Sequence, residues 1–410
     1  MFAWLKFARL FSFVNFLSPF AWRGLPMKLL QVISSTNPRD GGPIESVRQL
    51  CEPLKDLGVS VEIVCCDAPD APEHSAGGMP PVHALGPSRL GYAYTPGLVP
   101  WLRRNATRFD AVIVNGLWQY NGLAVQQALA DSKVPYFVFS HGMLDPWFKR
   151  TYPLKHLKKW LYWPWGEYRV LRDARAVIFT CEEERLLARQ SFWLYRVKEA
   201  VTAFGTSTPP ANGRQLAQQF LSVHPHLQGK RIALFLSRIH EKKGCDLLVD
   251  AFARVADRDK RLHLVMAGPD QTGWSADLQA QAKKLGIADR ISWPGMLQGD
   301  EKWGAFHAAE VFCLPSHQEN FGIVVAEALG CGKPVLISNR VNIWREIESD
   351  DAGFIDEDTV AGTERSLRRW LALDAPAYAQ MSERAGRCFA RRFHIQRAAE
   401  RLVEIVREHA

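Results

Sequence analysis

From Lys28 onward, short continuous apolar runs alternate with longer amphipathic ones. Leu29 to Ser34, Val61 to Cys65, Ala111 to Val114, Tyr136 to Ser140 and Ala176 to Phe179 read as strands buried on both faces of a parallel sheet. A second series follows at Arg231 to Leu236, Leu262 to Ala267, Ile291 to Trp293, Val311 to Leu314 and Pro334 to Ile337. Helical periodicity fills the gaps, for example from about Ser46 to Leu57, where Gly58 stops it. Between the two series, Thr202 to Gln228 is rich in Thr, Ser and Pro, and Thr208-Pro209-Pro210 breaks regular structure. The pattern predicts two α/β domains, 27–205 and 206–390, and 410 residues suffice for two cores. No repeat or low-complexity tract interrupts them.

The most informative stretch is 311–338. A strand, a loop carrying Glu319 to Gly322, a helix from about Ile323 and a second strand make one turn of an α/β fold. Eight helical positions would leave Glu319 and Glu327 about 80° apart, so both can face one ligand. The helix N-terminus between them offers N–H groups to a phosphate, and a carboxylate nearby can accept from ribose hydroxyls. The competing reading is a pair of solvated helix-end charges.

Other loops follow strands in the same way. Asn37-Pro38-Arg39-Asp40-Gly41-Gly42-Pro43 is either a plain turn or a place where backbone approaches a ligand. Asn115-Gly116-Leu117-Trp118 and Ser140-His141-Gly142-Met143-Leu144-Asp145 put polar groups at strand ends, where open sheets bind ligands. Ser237-Arg238-Ile239-His240-Glu241-Lys242-Lys243-Gly244 supplies a planar fork and a point charge suited to a diphosphate, or two solvated cations.

Taken together, Pro-Ser-x-x-Glu-x-Phe-Gly-x-x-x-x-Glu-Ala-x-x-x-Gly-x-Pro-Val at 315–335 resembles the motif of retaining glycosyltransferases of family four. His-Gly-Met-Leu-Asp-Pro-Trp at 141–147 is similar to a subgroup of that family, and the resemblance runs from about Met27 to the C-terminus. It implies the GT-B fold, two Rossmann-like domains with parallel sheets facing each other across a cleft, and a last helix, within 391–410, that crosses back to the first domain. It implies a nucleoside diphosphate sugar as donor, with catalytic roles for His141, Glu319, Arg238 and Lys243. Donor contacts carry over to Gly41, Gly42, Asn320, Phe321, Gly322, Ile323 and Glu327, and acceptor contacts to Asn115, Trp118 and Asp145. Departures occur at Ala203-Phe204-Gly205 and Thr180-Cys181-Glu182, where relatives commonly have Pro-Asn-Gly and a Ser. No Asp-x-Asp with metal-ligand context occurs, so no metal or other cofactor is expected. The expected acceptor is a glycan or lipid-linked oligosaccharide hydroxyl in cell-surface polysaccharide synthesis. A GT-B epimerase and a non-catalytic sugar-nucleotide-binding scaffold are the alternatives.

Composition refines this only a little. A net charge of +8 favours anionic partners, yet no nucleic-acid module is present. Eight scattered cysteines without a C-x-x-C pair read as reduced thiols, and with no cleavable export signal they point to the cytoplasm, including the inner face of a membrane. Residues 1–26 interleave aromatics with Lys6, Arg9 and Arg23. Their polar positions recur every third residue and leave no clean apolar face, so membrane contact and a dispensable extension ahead of Met27 are both open. A second basic and aromatic stretch, 147–165, reads as an amphipathic helix, either packed on the domain or facing a bilayer.

Overall fold

The computed structural model describes residues 26–37, 42–75, 79–89 and 91–410. The aromatic N-terminal segment and Gly41 therefore lie outside the described residues, apart from Pro26. The first sheet has seven strands, β1 (Met27–Ile33), β2 (Val59–Cys65), β3 (Val82–Ala84), β4 (Ala111–Asn115), β5 (Tyr136–Phe139), β6 (Ala176–Phe179) and β7 (Glu199–Val201), in the order β3-β2-β1-β4-β5-β6-β7. The second has six, β8 (Arg231–Leu236), β9 (Leu262–Ala267), β10 (Ile291–Gly295), β11 (Val311–Leu314), β12 (Val335–Ser338) and β13 (Gly353–Asp356), in the order β10-β9-β8-β11-β12-β13.

Every pairing in both sheets is parallel. β4, β5, β6, β9, β11 and β12 are buried along their whole length, as their largely apolar sequences require. In each sheet the order reverses beside the first strand, at β1/β4 and at β8/β11. Ligands of open α/β sheets bind outside the carboxyl ends of strands at that switch point, so each domain presents its loops to the cleft. This is the GT-B arrangement that the sequence resemblance implies.

Two crossings join the domains side by side. Thr206 N–H donates to Phe393 O (2.9 Å), and Ile395 N–H donates to Thr206 O (3.1 Å). A Cβ on Gly205 would lie 2.4 Å from Ile395 Cα, so only glycine lets the two strands of chain pass this closely. Beyond the crossing, the helix Ile395–His409 buries Ala399, Leu402, Val403 and Val406 against the underside of the first sheet.

The structure departs from the sequence expectations in three places. Residues 206–228 hold a helix, Gly213–Val223, which buries Leu216 and Phe220 beneath the helix Gly299–Ala308. Its apolar positions are few and lie among glutamines, so the surrounding Thr, Ser and Pro masked them. The first helix starts at Gly42, four residues early, because Pro43 fits a first turn that needs no N–H. The strands β3 and β7 are three residues each, too short to show a period.

Candidate active site

The C-terminal wall of the cleft is built on charges. Gly322, at φ +74°, caps the helix Ile323–Gly330 in a left-handed conformation and turns the chain from Glu319 into its first turn. Glu319 is itself fixed by backbone: its N–H donates to Arg340 O (2.9 Å) and its O accepts from Asn342 N–H (2.9 Å). Its carboxylate forms an ion pair with Lys243. Lys243 reaches it because Gly244, at φ +66°, lies where a Cβ would be 2.2 Å from Pro315 O, and because His317 N–H donates to Lys242 O (2.9 Å). These contacts lock the Ser237–Gly244 loop onto the Glu319 loop.

Arg238 stands exposed beside Lys242 and makes no ion pair among the described residues. Glu327 faces sideways from the helix and is buried, with Lys302 Nζ donating to its Oε1 (2.8 Å). Burial raises its carboxyl above the ordinary range, against the pull of Lys302. Phe321 is buried between Phe204 and Phe393, with ring centroids 5.5 and 5.6 Å away, which anchors the loop to the crossing.

The N-terminal wall is built on hydrogen bonds around a neutral histidine. His141 adopts φ +48° directly after β5, followed by Gly142 at +77°. One residue, Glu184, holds this unusual turn. Buried in the helix Glu182–Ala188, it accepts from Ser140 Oγ (2.5 Å), Gly142 N (2.6 Å), Thr180 N (2.7 Å) and Thr180 Oγ1 (2.6 Å). The His141 ring stacks on Phe139 (4.8 Å, 16°) and its Nε2 lies 3.0 Å from Asn115 Oδ1, so the neutral ring carries its proton on Nε2. Asn115 is oriented in turn by donating to Gln31 Oε1 (2.7 Å). Burial pushes the His141 imidazole down to about 3.

The walls touch at this turn. A Cβ on Gly142 would lie 2.6 Å from Asn320 Cγ, and Asn320 Nδ2 donates to Thr180 Oγ1 (3.1 Å). Asp145, buried, accepts from Trp147 N (2.8 Å) and from Gln318 Nε2 (2.8 Å), so both its oxygens serve the turn and the domain contact. Arg345 pairs with Glu183 (2.6 Å) farther along the same seam. His141 and Glu319 are thus carried by neighbouring turns on opposite domains.

Beside them, in the first domain, a cavity of about 590 Å³ opens at the carboxyl ends of β1, β2 and β4. Ser34, Asp67, Asn115, Trp118 and Gln119 line it, and Gly42 starts the adjoining helix. Trp118 takes φ +70° with its Nε1 donating to Met143 O (3.2 Å). Sequence reasoning did not find Glu184, Gln31 or Lys302. Their partners lie 42, 84 and 25 residues away, and the only local signal was the acidic run after Cys181.

Two parallel sheets sharing one cleft, with a helix N-terminus and fixed cations on one side, define a GT-B protein. The chain belongs to the group 1 glycosyltransferases: the family described as "Glycosyl transferases group 1" matches residues 218–387 and the "Glycosyl transferase 4-like domain" matches 41–205. A D-inositol 3-phosphate glycosyltransferase of Streptomyces avermitilis is 31% identical over 237 residues, 55% of this chain and 49% of that protein. The chain thus matches about half the length, or less, of such curated relatives. Among solved structures, Anabaena HepE in complex with UDP and glucose superposes with a TM-score of 0.71 at 19% identity, over 93% of this chain and all of that one. WaaG, described as a glycosyltransferase involved in lipopolysaccharide biosynthesis, gives 0.60 at 14% identity over 93% and 99%. These last likenesses are of fold.

Proposed function

We propose that the protein moves a hexosyl unit, glucosyl or mannosyl, from a nucleoside diphosphate sugar to a hydroxyl of a glycan or lipid-linked oligosaccharide, with retention of configuration. The observation that carries this reading is the contact of Gly142 with Asn320, which sets the His141 turn against the Glu319 turn. Cleavage of the anomeric bond leaves negative charge on the diphosphate and positive charge on the sugar. Lys243, Arg238 and the helix N-terminus after Gly322 face the first. Glu319 and the His141 turn face the second. Donor phosphate competes with Glu319 for Lys243, which frees the carboxylate for the sugar. Glu327, with one oxygen held by Lys302, keeps the other for the ribose hydroxyls.

The positive charge needed by the leaving group is supplied by the chain itself, so the reading expects turnover to survive chelation of divalent ions. The cavity beside His141 is the acceptor's place, with Asn115 orienting His141 and Trp118 forming its wall. The eight free cysteines fit a reducing cytoplasm. UDP-glucose is the first donor to test, because the HepE complexes hold UDP and UDP-glucose. Purified protein is titrated with UDP-, GDP- and ADP-sugars in EDTA, following thermal stabilisation and slow donor hydrolysis. Stabilisation by one nucleotide class that Glu327→Ala and Arg238→Ala both weaken supports the donor site. Binding without hydrolysis or transfer favours a scaffold, and no binding by any nucleotide overturns the assignment.

A further inference from the structure

The helix Pro153–Tyr162 is amphipathic, yet it is turned inside out and buries none of its residues. Its inward side carries His156, stacked on Phe192 (4.7 Å, 25°), and Lys159, whose Nζ sits 4.4 Å from the Trp118 ring centroid. Its leucines face outward: Leu154 is 79% exposed, Leu157 53% and Leu161 61%. Their spacing of three and four residues makes one stripe. Trp165, 77% exposed, extends it past the helix end, and Trp160 meets Trp193 from the neighbouring loop at 6.0 Å. Beside Trp193, Leu194 is exposed at φ +55°, a backbone conformation that an apolar side chain rarely adopts.

A rigid frame holds this face. Trp163 is fully buried, stacks on Phe192 (4.4 Å, 11°) and donates from Nε1 to Trp193 O (2.9 Å). The charges around the apolar stripe are of one sign. Residues 146–166 contain Lys149, Arg150, Lys155, Lys158 and Lys159 and no acid. All of these but Lys159 are exposed.

We infer that this face docks onto an anionic lipid bilayer, with the leucine stripe and tryptophans in the headgroup boundary and the lysines against lipid phosphates. A second copy of the chain seated here would set the same cations against each other. Residues 1–25 carry Lys6, Arg9 and Arg23 and no acid, so they too lack the complementary charge. Only the short helix Trp147–Thr151 separates this helix from the loop of His141 and Asp145, so docking brings the acceptor side of the cleft to the membrane surface. The inference goes beyond the transfer reading and stands without it: a chain that binds vesicles but no nucleotide overturns that reading and leaves this one intact.

The test is co-sedimentation of the full chain with vesicles of phosphatidylglycerol and phosphatidylcholine, and with phosphatidylcholine alone. Binding to the anionic vesicles is expected, weakened about tenfold in 0.5 M salt or on the neutral vesicles. The variant L154S/L157S/L161S/W165S is expected to lose binding about tenfold or more, and K155E/K158E likewise, both with unchanged melting temperature. Undiminished binding by either variant, or no binding by the parent, overturns the inference. So does loss of binding on removal of residues 1–25 alone, or a parent dimer that the leucine substitutions dissociate.

Discussion

The two walls of the cleft do similar positioning with opposite means. The C-terminal wall keeps its carboxylates beside lysines, Glu319 with Lys243 and Glu327 with Lys302. The N-terminal wall holds its histidine neutral, and Glu184 spends its charge on hydrogen bonds rather than on a cation. On the proposed transfer reading, the difference follows from what each wall would meet. A diphosphate needs fixed positive charge, whereas the reacting sugar and its acceptor need shape and a turn that does not move.

The largest effect is expected where the charged wall is broken at its centre. Glu319→Ala and Lys243→Ala should each lower turnover about 10³-fold, because each removes charge that acts on the developing transition state. Nucleotide affinity should fall far less in Glu319→Ala than in Lys243→Ala. Initial rates and nucleotide titrations on both variants check this. Equal losses of affinity would mean that the pair acts as one structural bridge.

Next comes the seam. Gly142→Ala puts a methyl into Asn320 at a φ of +77°, so the His141 turn must shift or the domains must part. Turnover should fall about 100-fold, as a displacement of roughly 1 Å can cost that much. Asn320→Ala added to it relieves the clash but not the backbone strain, so partial recovery is expected. Recovery to the parent rate would show that strain at residue 142 is immaterial.

Glu327→Ala separates ribose recognition from chemistry. Affinity for the favoured nucleotide should fall about tenfold, roughly the worth of one hydrogen bond to a charged group, with kcat changing less. Calorimetric titration and steady-state rates read the two effects. A fall confined to kcat would move Glu327 from binding to catalysis.

Sequence legibility differed along the same division. The acidic side of the charged wall is local: strand, Glu319 loop, Gly322 and helix lie within 28 residues, and 311–338 reads as a unit, whereas its lysines come from 76 and 25 residues away and only Lys243 was visible. The neutral wall depends on contacts across the first sheet, so His141 was visible but Glu184 and Gln31, which fix it, were not. A helical period reveals a stripe without saying what covers it. The stripe of Ile395–His409 lies in the core, whereas that of Pro153–Tyr162 lies in solvent, and nothing in the spacing separates them. Burial also explains Asp145: its position after His141 marks the cleft, but only the folded chain shows Gln318 and the Trp147 amide taking its oxygens.

The smallest effect tests whether the neutral wall is truly neutral. His141 is held down to about 3, while the unfolded imidazole titrates near 6.5. Between these values the unfolded chain binds the extra proton. The stability associated with the neutral ring is therefore complete above about pH 6.5 and drains as pH falls, by about 2 kcal/mol at pH 5. Glu167, buried with the Trp118 amide beside it, has the opposite sign. Burial pushes its carboxyl up to about 8, so the folded chain keeps a proton that the unfolded chain has lost. Stability from this group falls as pH rises from 6 to 8, again by about 2 kcal/mol. His141→Asn should flatten the acid limb of a melting curve taken against pH, and Glu167→Gln the alkaline limb, each without touching the other. If Glu167→Gln left the alkaline limb unchanged, Glu167 would be ionised in the fold, paired with Lys159, and the two walls would differ less than their hydrogen bonds imply.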